Sequence, residues 1–267
     1  ERSRGRYVCL LNNDTEVLPG WLEPLVETAS RSDVACAGPL QTDWDGLVWH
    51  FGTVFRPEGS PFERHPRHLC LGFPPDACCP LEAREFPAMN FACCVARRDV
   101  FDVVGRLDDE RYLFPGYYED VDWMLRARTL GLRNMFEPRS EIIHYGSKGV
   151  VDPELRRRAM EARELNLERF LERWSDAPPV LFQTADPMGL LENKSVATVG
   201  LQDDDGPLDV TALLARKRAS LDEERSLLAR ARSERGPDAP DPLVSVVIPT
   251  FNRAELLVGR SLPSVLA

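Results

Sequence analysis

Three places in the chain put carboxylates, amides or a histidine where a fold would present them. The first is Asn12-Asn13-Asp14, directly after the apolar run Tyr7-Val8-Cys9-Leu10-Leu11. Such a run reads as a strand buried on both faces, as in a parallel sheet. In open α/β sheets ligands bind outside the carboxyl ends of the strands. A carboxylate there can hold a hard cation such as magnesium or manganese through oxygen. Taken alone, the stretch reads first as a turn cap, with Asp14 ahead of a helix that starts near Pro19-Gly20-Trp21.

The second place is Glu119-Asp120-Val121-Asp122, with its acids in the first turn of a predicted helix. Carboxylates there complement the positive end of the helix dipole, which accounts for them without chemistry. Helical geometry separates them, however. Asp122 has Arg126 four residues on, the spacing of a surface ion pair. Asp120 shares its face with Trp123, Met124 and Ala127, which should point inward. A carboxylate against an apolar wall is disposed to a raised pKa and to general-base work. The third place is His144, at the end of the strand-like run Glu141-Ile142-Ile143-His144-Tyr145. A lone histidine is first of all structural. If its strand and that of Asp14 end on one sheet edge, the two side chains could share one metal ion.

The elements around these places follow from pattern. Trp21 to Ala29 reads as an amphipathic helix that tolerates Pro24 in its first turn. Val34 to Gly38 is a short buried strand, and Asp45-Gly46 followed by Leu47-Val48-Trp49-His50-Phe51 signals a hairpin. Residues 56–80 read as a long loop rich in Pro and His. Phe91 to Ala96 is a buried strand leading into a helix from Arg98 to Val104 that Gly105 ends. A helix over 119–130 closes at Gly131, and the charged helix from Pro153 to Trp174 is expected on the outside. Leu208 to Arg235 is a further charged helical segment, and the Pro-rich stretch 236–242 reads as a linker. Leu243 to Pro249 opens a new buried strand.

Composition narrows the function classes. With 267 residues, 43% of them hydrophobic, the chain has room for one large domain or a domain plus pieces. A net charge of -10 argues against general nucleic-acid binding through phosphate neutralisation. No stretch approaches the length of a membrane span and no signal peptide is visible. A cytoplasmic protein is therefore expected. The seven cysteines are odd in number and form no CxxC, so reduced thiols packed as small hydrophobes are expected. Cys70, Cys78 and Cys79 with His65 and His68 fit no common zinc spacing.

In chain order, Leu10-Leu11-Asn12-Asn13-Asp14-Thr15-Glu16-Val17, Tyr118-Glu119-Asp120-Val121-Asp122 and Ile143-His144-Tyr145-Gly146-Ser147 resemble the signature of family 2 glycosyltransferases with the GT-A fold. Pro19-Gly20-Trp21-Leu22 and Arg97-Arg98-Asp99-Val100-Phe101 to Gly105 are similar to that family's connecting segments. Val244-Ser245-Val246-Val247-Ile248-Pro249-Thr250-Phe251-Asn252-Arg253 resembles the first strand and loop of another such domain. The resemblance implies an α/β, GT-A-like (Rossmann-like) mixed sheet flanked by helices, incomplete in this chain, plus a helical linker. Residues 1–175 would be the metal- and acceptor-side part, 176–242 a partly helical linker, and 243–267 the start of a second domain.

The same resemblance implies roles. Asp14 stands at the last position of a DxD-type metal motif whose first position is Asn12, and His144 can supply another ligand to Mn2+ or Mg2+. Asn12, Asn13 and Asp14 would face the nucleotide sugar; Asp120, with Glu119 beside it, matches the base motif. Pro249, Thr250, Asn252 and Arg253 would begin the second domain's nucleotide site. The implied reaction is an inverting single displacement from a nucleotide-diphosphate sugar to a glycan, a lipid-linked glycan or another hydroxyl acceptor. Peripheral association with the inner membrane face is compatible with that role. Trp49 and Phe51 could stack on a sugar, with core packing as the other reading.

Two other classes compete. Nucleotidyl transfer would need further carboxylates and a Gly-rich, Lys-bearing loop that the sequence does not offer. A degenerate module that scaffolds a partner is opposed by the intact Asp14, Asp120 and His144. The ends of the chain, Glu1 and Ala267, are expected to be those of a fragment, with the nucleotide-binding half before Glu1. Residues 1–267 alone are then expected to show no transfer. The segment from Val244 to Ile248 is expected to dock beside Val8 to Leu11, in place of the missing first strand.

Overall fold

Apolar runs bounded by polar tips become the strands of one mixed sheet. The computed structural model describes residues 4–56, 58–60, 63–77, 82–112, 117–146, 153–184, 243–248 and 264–265. In chain order its strands are β1 (Tyr7–Leu11), β2 (Thr15–Val17), β3 (Val34–Thr42), β4 (Val48–His50), β5 (Thr53–Phe55), β6 (Pro66–His68), β7 (Arg84–Phe86), β8 (Cys93–Arg97), β9 (Arg133–His144) and β10 (Val244–Val247). The helices are α1 (Leu22–Ala29), α2 (Arg98–Val104), α3 (Glu119–Thr129) and α4 (Pro153–Arg173). The main sheet runs β10-β1-β8-β3-β9-β2, with β4 added to β3 and β7 to β9, while β5 and β6 form a separate ribbon.

Alternation along β8 divides the core between the two faces of the sheet. Cys93 and Val95 face a cluster with Tyr7, Cys9, Leu11, Trp21 and Leu25 under α1. Cys94 and Ala96 face the larger cluster built on Phe51, Phe86, Trp123, Phe136 and Phe170. The hairpin signalled by Asp45-Gly46 is present. Gln41 pairs with His50 and Thr42 with Val48, and the Asp43 carboxylate accepts the amides of Asp45 and Leu47. Gly46 takes φ 83° at the tip, a conformation the turn requires.

β10 lies parallel to β1 in the register Tyr7↔Val244 to Leu10↔Val247, the docking expected from sequence. Its Ser245 Oγ accepts the amides of Gly5 at 2.7 Å and Arg4 at 3.1 Å. Val244, Val246 and Ile248 pack against the α1-side cluster.

Several elements differ from expectation. β3 runs on to Thr42 and β9 begins at Arg133, because a register shift at Pro39/Leu40 absorbs Pro138 without ending the pairing. The 56–80 loop contains β6, paired with β5. Helix α4 lies on the outside as expected but also buries a stripe of one residue per turn, Ala162, Asn166 and Phe170, continued past its end by Trp174. Packing continues through Phe182, which stands edge-on to Phe55. The predicted helix over 208–235 lies outside the described residues.

Candidate active site

The antiparallel pairing of β2 with the end of β9 sets Thr15 opposite His144. That register folds the Asn12–Asp14 turn back onto the sheet edge where β9 ends. Tyr145 N donates to Asp14 O at 2.8 Å, and Thr15 Oγ1 closes the turn on Asn12 O at 2.6 Å. His144 Nε2 then lies 3.4 Å from Asp14 Oδ1. The two candidate ligands therefore share one edge. Asp14 does not cap α1 itself, which has no side-chain cap bond and is separated from Asp14 by β2. Asn13 is buried with Asp14, and Asn12 is half-buried.

Trp49 walls this corner. Its ring stands edge-on to His144 with centroids 5.3 Å apart. It also covers Gly146, where a Cβ would lie 2.6 Å from Trp49 Cη2 and where φ is 62°. Only glycine satisfies both conditions. Phe51 instead fills the core against Phe86 and Phe136.

At the start of α3 the carboxylates have opposite surroundings. Asp122 is not on the surface as the Arg126 spacing suggested: it is fully buried. Arg126 Nε at 2.9 Å, Arg173 Nε at 3.0 Å and Trp174 Nε1 at 3.0 Å all converge on it. Asp120 meets no cation among its described contacts. Its Oδ1 accepts Val121 N at 2.8 Å and its Oδ2 accepts Phe91 N at 3.2 Å. Burial of the carboxyl pushes its pKa up, against the pull of those amides. Glu119 beside it is pushed up to about 8 by burial first and the Asp120 charge second. Two such groups titrate as a pair, and one proton between them suits neutral pH. Tyr117 and Tyr118, at φ 79° and 73°, deliver the chain into this turn in a left-handed conformation unusual for such side chains.

A link that sequence reasoning missed joins the two corners. Asn12 N donates to Ala92 O at 2.8 Å, and the neighbouring Phe91 N reaches Asp120. Asn90 N donates to His50 Nε2 at 3.1 Å, and Asn90 Oδ1 accepts Gln41 Nε2 at 2.5 Å. Residues 90–92 thus tie the Asn12–Asp14 turn, the β3–β4 hairpin and the start of α3 together. One signal was available: His50 shares the inward-facing side of β4 with Val48, and a polar group there needs a partner.

The donor set fits a hard or borderline divalent cation. A carboxylate oxygen and an imidazole nitrogen converge at Asp14 and His144, and among the described residues no third His, Cys, Asp or Glu joins them. Two protein ligands would leave the remaining positions of such a cation to substrate phosphates and water, the habit of magnesium and its relatives. Cys9, Cys36, Cys70, Cys93 and Cys94 are free thiols. Cys78, Cys79, Pro249, Thr250, Asn252 and Arg253 lie outside the described residues.

The chain is similar to several known proteins. The chain is 35% identical over 162 residues to the uncharacterized protein y4gI of Sinorhizobium fredii, covering 59% of this chain and 17% of that protein. It is 32% identical over 152 residues to the O-antigen biosynthesis protein RfbC of Myxococcus xanthus, covering 55% of this chain and 11% of that protein. The chain thus spans less than a fifth of either relative. Among solved structures, a crystal structure of GalNAc-T7 with UDP, GalNAc and Mn2+ aligns at a TM-score of 0.42 and 17% identity. That alignment covers 74% of this chain and 39% of the other. No helix among the described residues is long and apolar enough to cross a membrane. The family model "Glycosyl transferase family 2" matches residues 1–102.

Proposed function

We propose that the protein is an inverting, metal-dependent glycosyltransferase. In this reading it moves a sugar from a nucleotide-diphosphate sugar to a hydroxyl of a glycan or lipid-linked glycan. The observation that carries the reading is the convergence of Asp14 and His144 on one sheet edge, joined through residues 90–92 to the enclosed carboxyl of Asp120. Residues 1–102 supply the family context, and the relative involved in O-antigen biosynthesis supports a surface polysaccharide as product. Action at the cytoplasmic face of the membrane follows from such an acceptor.

Each side chain has a defined task. Asp14 and His144 would hold Mn2+ or Mg2+, and a bound cation supplies Lewis-acid charge for the departing diphosphate. Asn12 and Asn13 border the donor. Asp120 accepts the proton of the attacking acceptor hydroxyl on a carboxylate oxygen. Its raised affinity for protons makes it a stronger base than a solvated aspartate, and general-base catalysis of this kind contributes about 10²–10⁴-fold in rate. Glu119 keeps its own proton at neutral pH, so the pair does not carry two adjacent charges. Trp49 closes the corner beside His144 against water.

The test is transfer or hydrolysis of labelled nucleotide sugars by the full-length native protein with Mn2+ or Mg2+. Asp14→Ala and Asp120→Asn should each lose about 100-fold or more. Wild-type rates in both variants would overturn the assignment.

A further inference from the structure

The 90–92 segment is held by His50 and Gln41, groups the reaction itself does not use, and in turn bonds to Asn12 and Asp120. We propose that His50 and Asn90 are positioning residues for Asp120: they fix residues 90–92 so that the Phe91 amide holds the Asp120 carboxylate beside the Asn12–Asp14 turn. The inference rests on the reading of Asp120 as the proton acceptor.

The geometry runs from the hairpin outward. Asn90 N donates to His50 Nε2 at 3.1 Å, so the ring must be neutral, with its proton on Nδ1. His50 is 1% exposed, and burial, with His68 and His144 nearby, pushes its pKa well below the ordinary histidine range. The acceptor lone pair is therefore present at any pH where the protein is folded and near neutral. Asn90 Oδ1 accepts Gln41 Nε2 at 2.5 Å and Ala92 N at 3.3 Å, which curls the segment around its own side chain. This curl leaves Phe91 N aimed at Asp120 Oδ2, and the Phe91 ring packs edge-on to Trp123, three residues further along α3. Ala92 O accepts Asn12 N at 2.8 Å, so the same segment sets the distance between the acidic turn and the helix start. A backbone amide is a suitable clamp here. It orients the carboxylate without the cation that would remove its basicity, in contrast to Asp122 with its two arginines.

Amide NMR of the full 267-residue chain tests the link. In the wild-type protein the Phe91 and Val121 amide protons should both move through the titration of Asp120, because each donates to it. In Asn90→Ala and His50→Phe the Phe91 excursion should fall at least twofold while that of Val121 persists. The proton affinity of Asp120 should rise about tenfold for the lost hydrogen bond. His50→Gln, which keeps an acceptor for the Asn90 amide, should restore the Phe91 response. In the full-length protein Asn90→Ala should lower kcat roughly tenfold with KM unchanged, the pattern of a displaced base. A Phe91 amide that ignores the Asp120 titration in the wild type, or follows it unchanged in Asn90→Ala, overturns the proposal. The two readings fail separately. Full activity in Asp120→Asn would remove the base assignment, whereas a missing Phe91 response with inactive Asp120→Asn removes only the positioning role.

Discussion

Asp120 and Asp122 stand two residues apart on one helical turn, yet the fold treats them as different kinds of group. Asp122 is fully buried and saturated with Arg126, Arg173 and the Trp174 indole. Asp120 is enclosed too, but its described partners are the backbone amides of Phe91 and Val121. Arginine at hydrogen-bond distance keeps a carboxylate ionised and weakly basic. Amides and an apolar wall leave it orientable and more basic. The contrast separates a carboxylate that joins helices from one that, in the proposed function, is available for proton transfer; the sequence pairs Asp122 with Arg126, but only the fold shows that pair to be buried.

The largest test of the contrast is Asp122→Ala. Removing that carboxylate leaves two arginine side chains and an indole N–H turned toward an empty buried site. Breaking a buried charge cluster in this way costs about 3–5 kcal/mol. Urea denaturation should show that loss, with α4 loosened from α3. Asp120→Asn should cost about 1–2 kcal/mol in the same experiment, since its amide oxygen can still accept one of the two backbone bonds and only the other amide loses its partner. If the two variants were equally destabilised, the division into a structural and a reactive carboxylate would be wrong.

What could be read in advance followed the strength of the local pattern. β1 and β8 announced themselves as apolar runs, and the Asp45-Gly46 hairpin by its turn residues. β9 did not, because Glu137, Pro138 and Arg139 interrupt it and only pairing with β3 carries the strand across the register shift. Asp122 was misplaced for a related reason. Its spacing to Arg126 is that of a surface pair, and the helix that covers it begins 31 residues further on, at Pro153. α4 buries one residue per turn in an otherwise charged sequence, a stripe too narrow to outweigh its composition. The shared sheet edge of Asp14 and His144 could be expected from the sequence. The 90–92 link could not, since it consists largely of backbone amides, which any sequence possesses.

Glu119 gives a smaller effect with a definite sign. Its folded-state pKa of about 8 lies above the ordinary 4.5, so the fold favours the protonated form. The associated stability is fully present below about pH 4.5 and is lost as pH rises through 8. Asp120 shifts in the same direction and adds to the slope. Glu119→Gln stays neutral throughout and should flatten this loss, leaving the variant more stable than wild type at pH 9 by roughly 1–3 kcal/mol. Urea midpoints at pH 5 and pH 9 measure the difference. Parallel pH profiles for the two proteins would mean that Glu119 is solvated and that Asp120 holds its proton without a competitor.

The smallest effect isolates burial from spacing. Arg157 and Glu161 on α4 are an i,i+4 ion pair, as are Asp122 and Arg126 on α3. The α4 pair is more than half exposed on both sides, at 57% and 58%, whereas Asp122 is at 0%. Exposed pairs of this spacing contribute about 0.3–0.5 kcal/mol, and less when the cation lies on the N-terminal side as Arg157 does. Glu161→Gln should therefore change stability by under ~0.5 kcal/mol, and salt should erase what difference there is. Asp122→Ala should be nearly insensitive to salt over the same range, because its partners are screened by protein rather than by ions. A Glu161→Gln loss comparable to that of Asp122→Ala would place the energy of these pairs in helix geometry. The contrast between Asp120 and Asp122 would then need another cause than the cations that reach one and not the other.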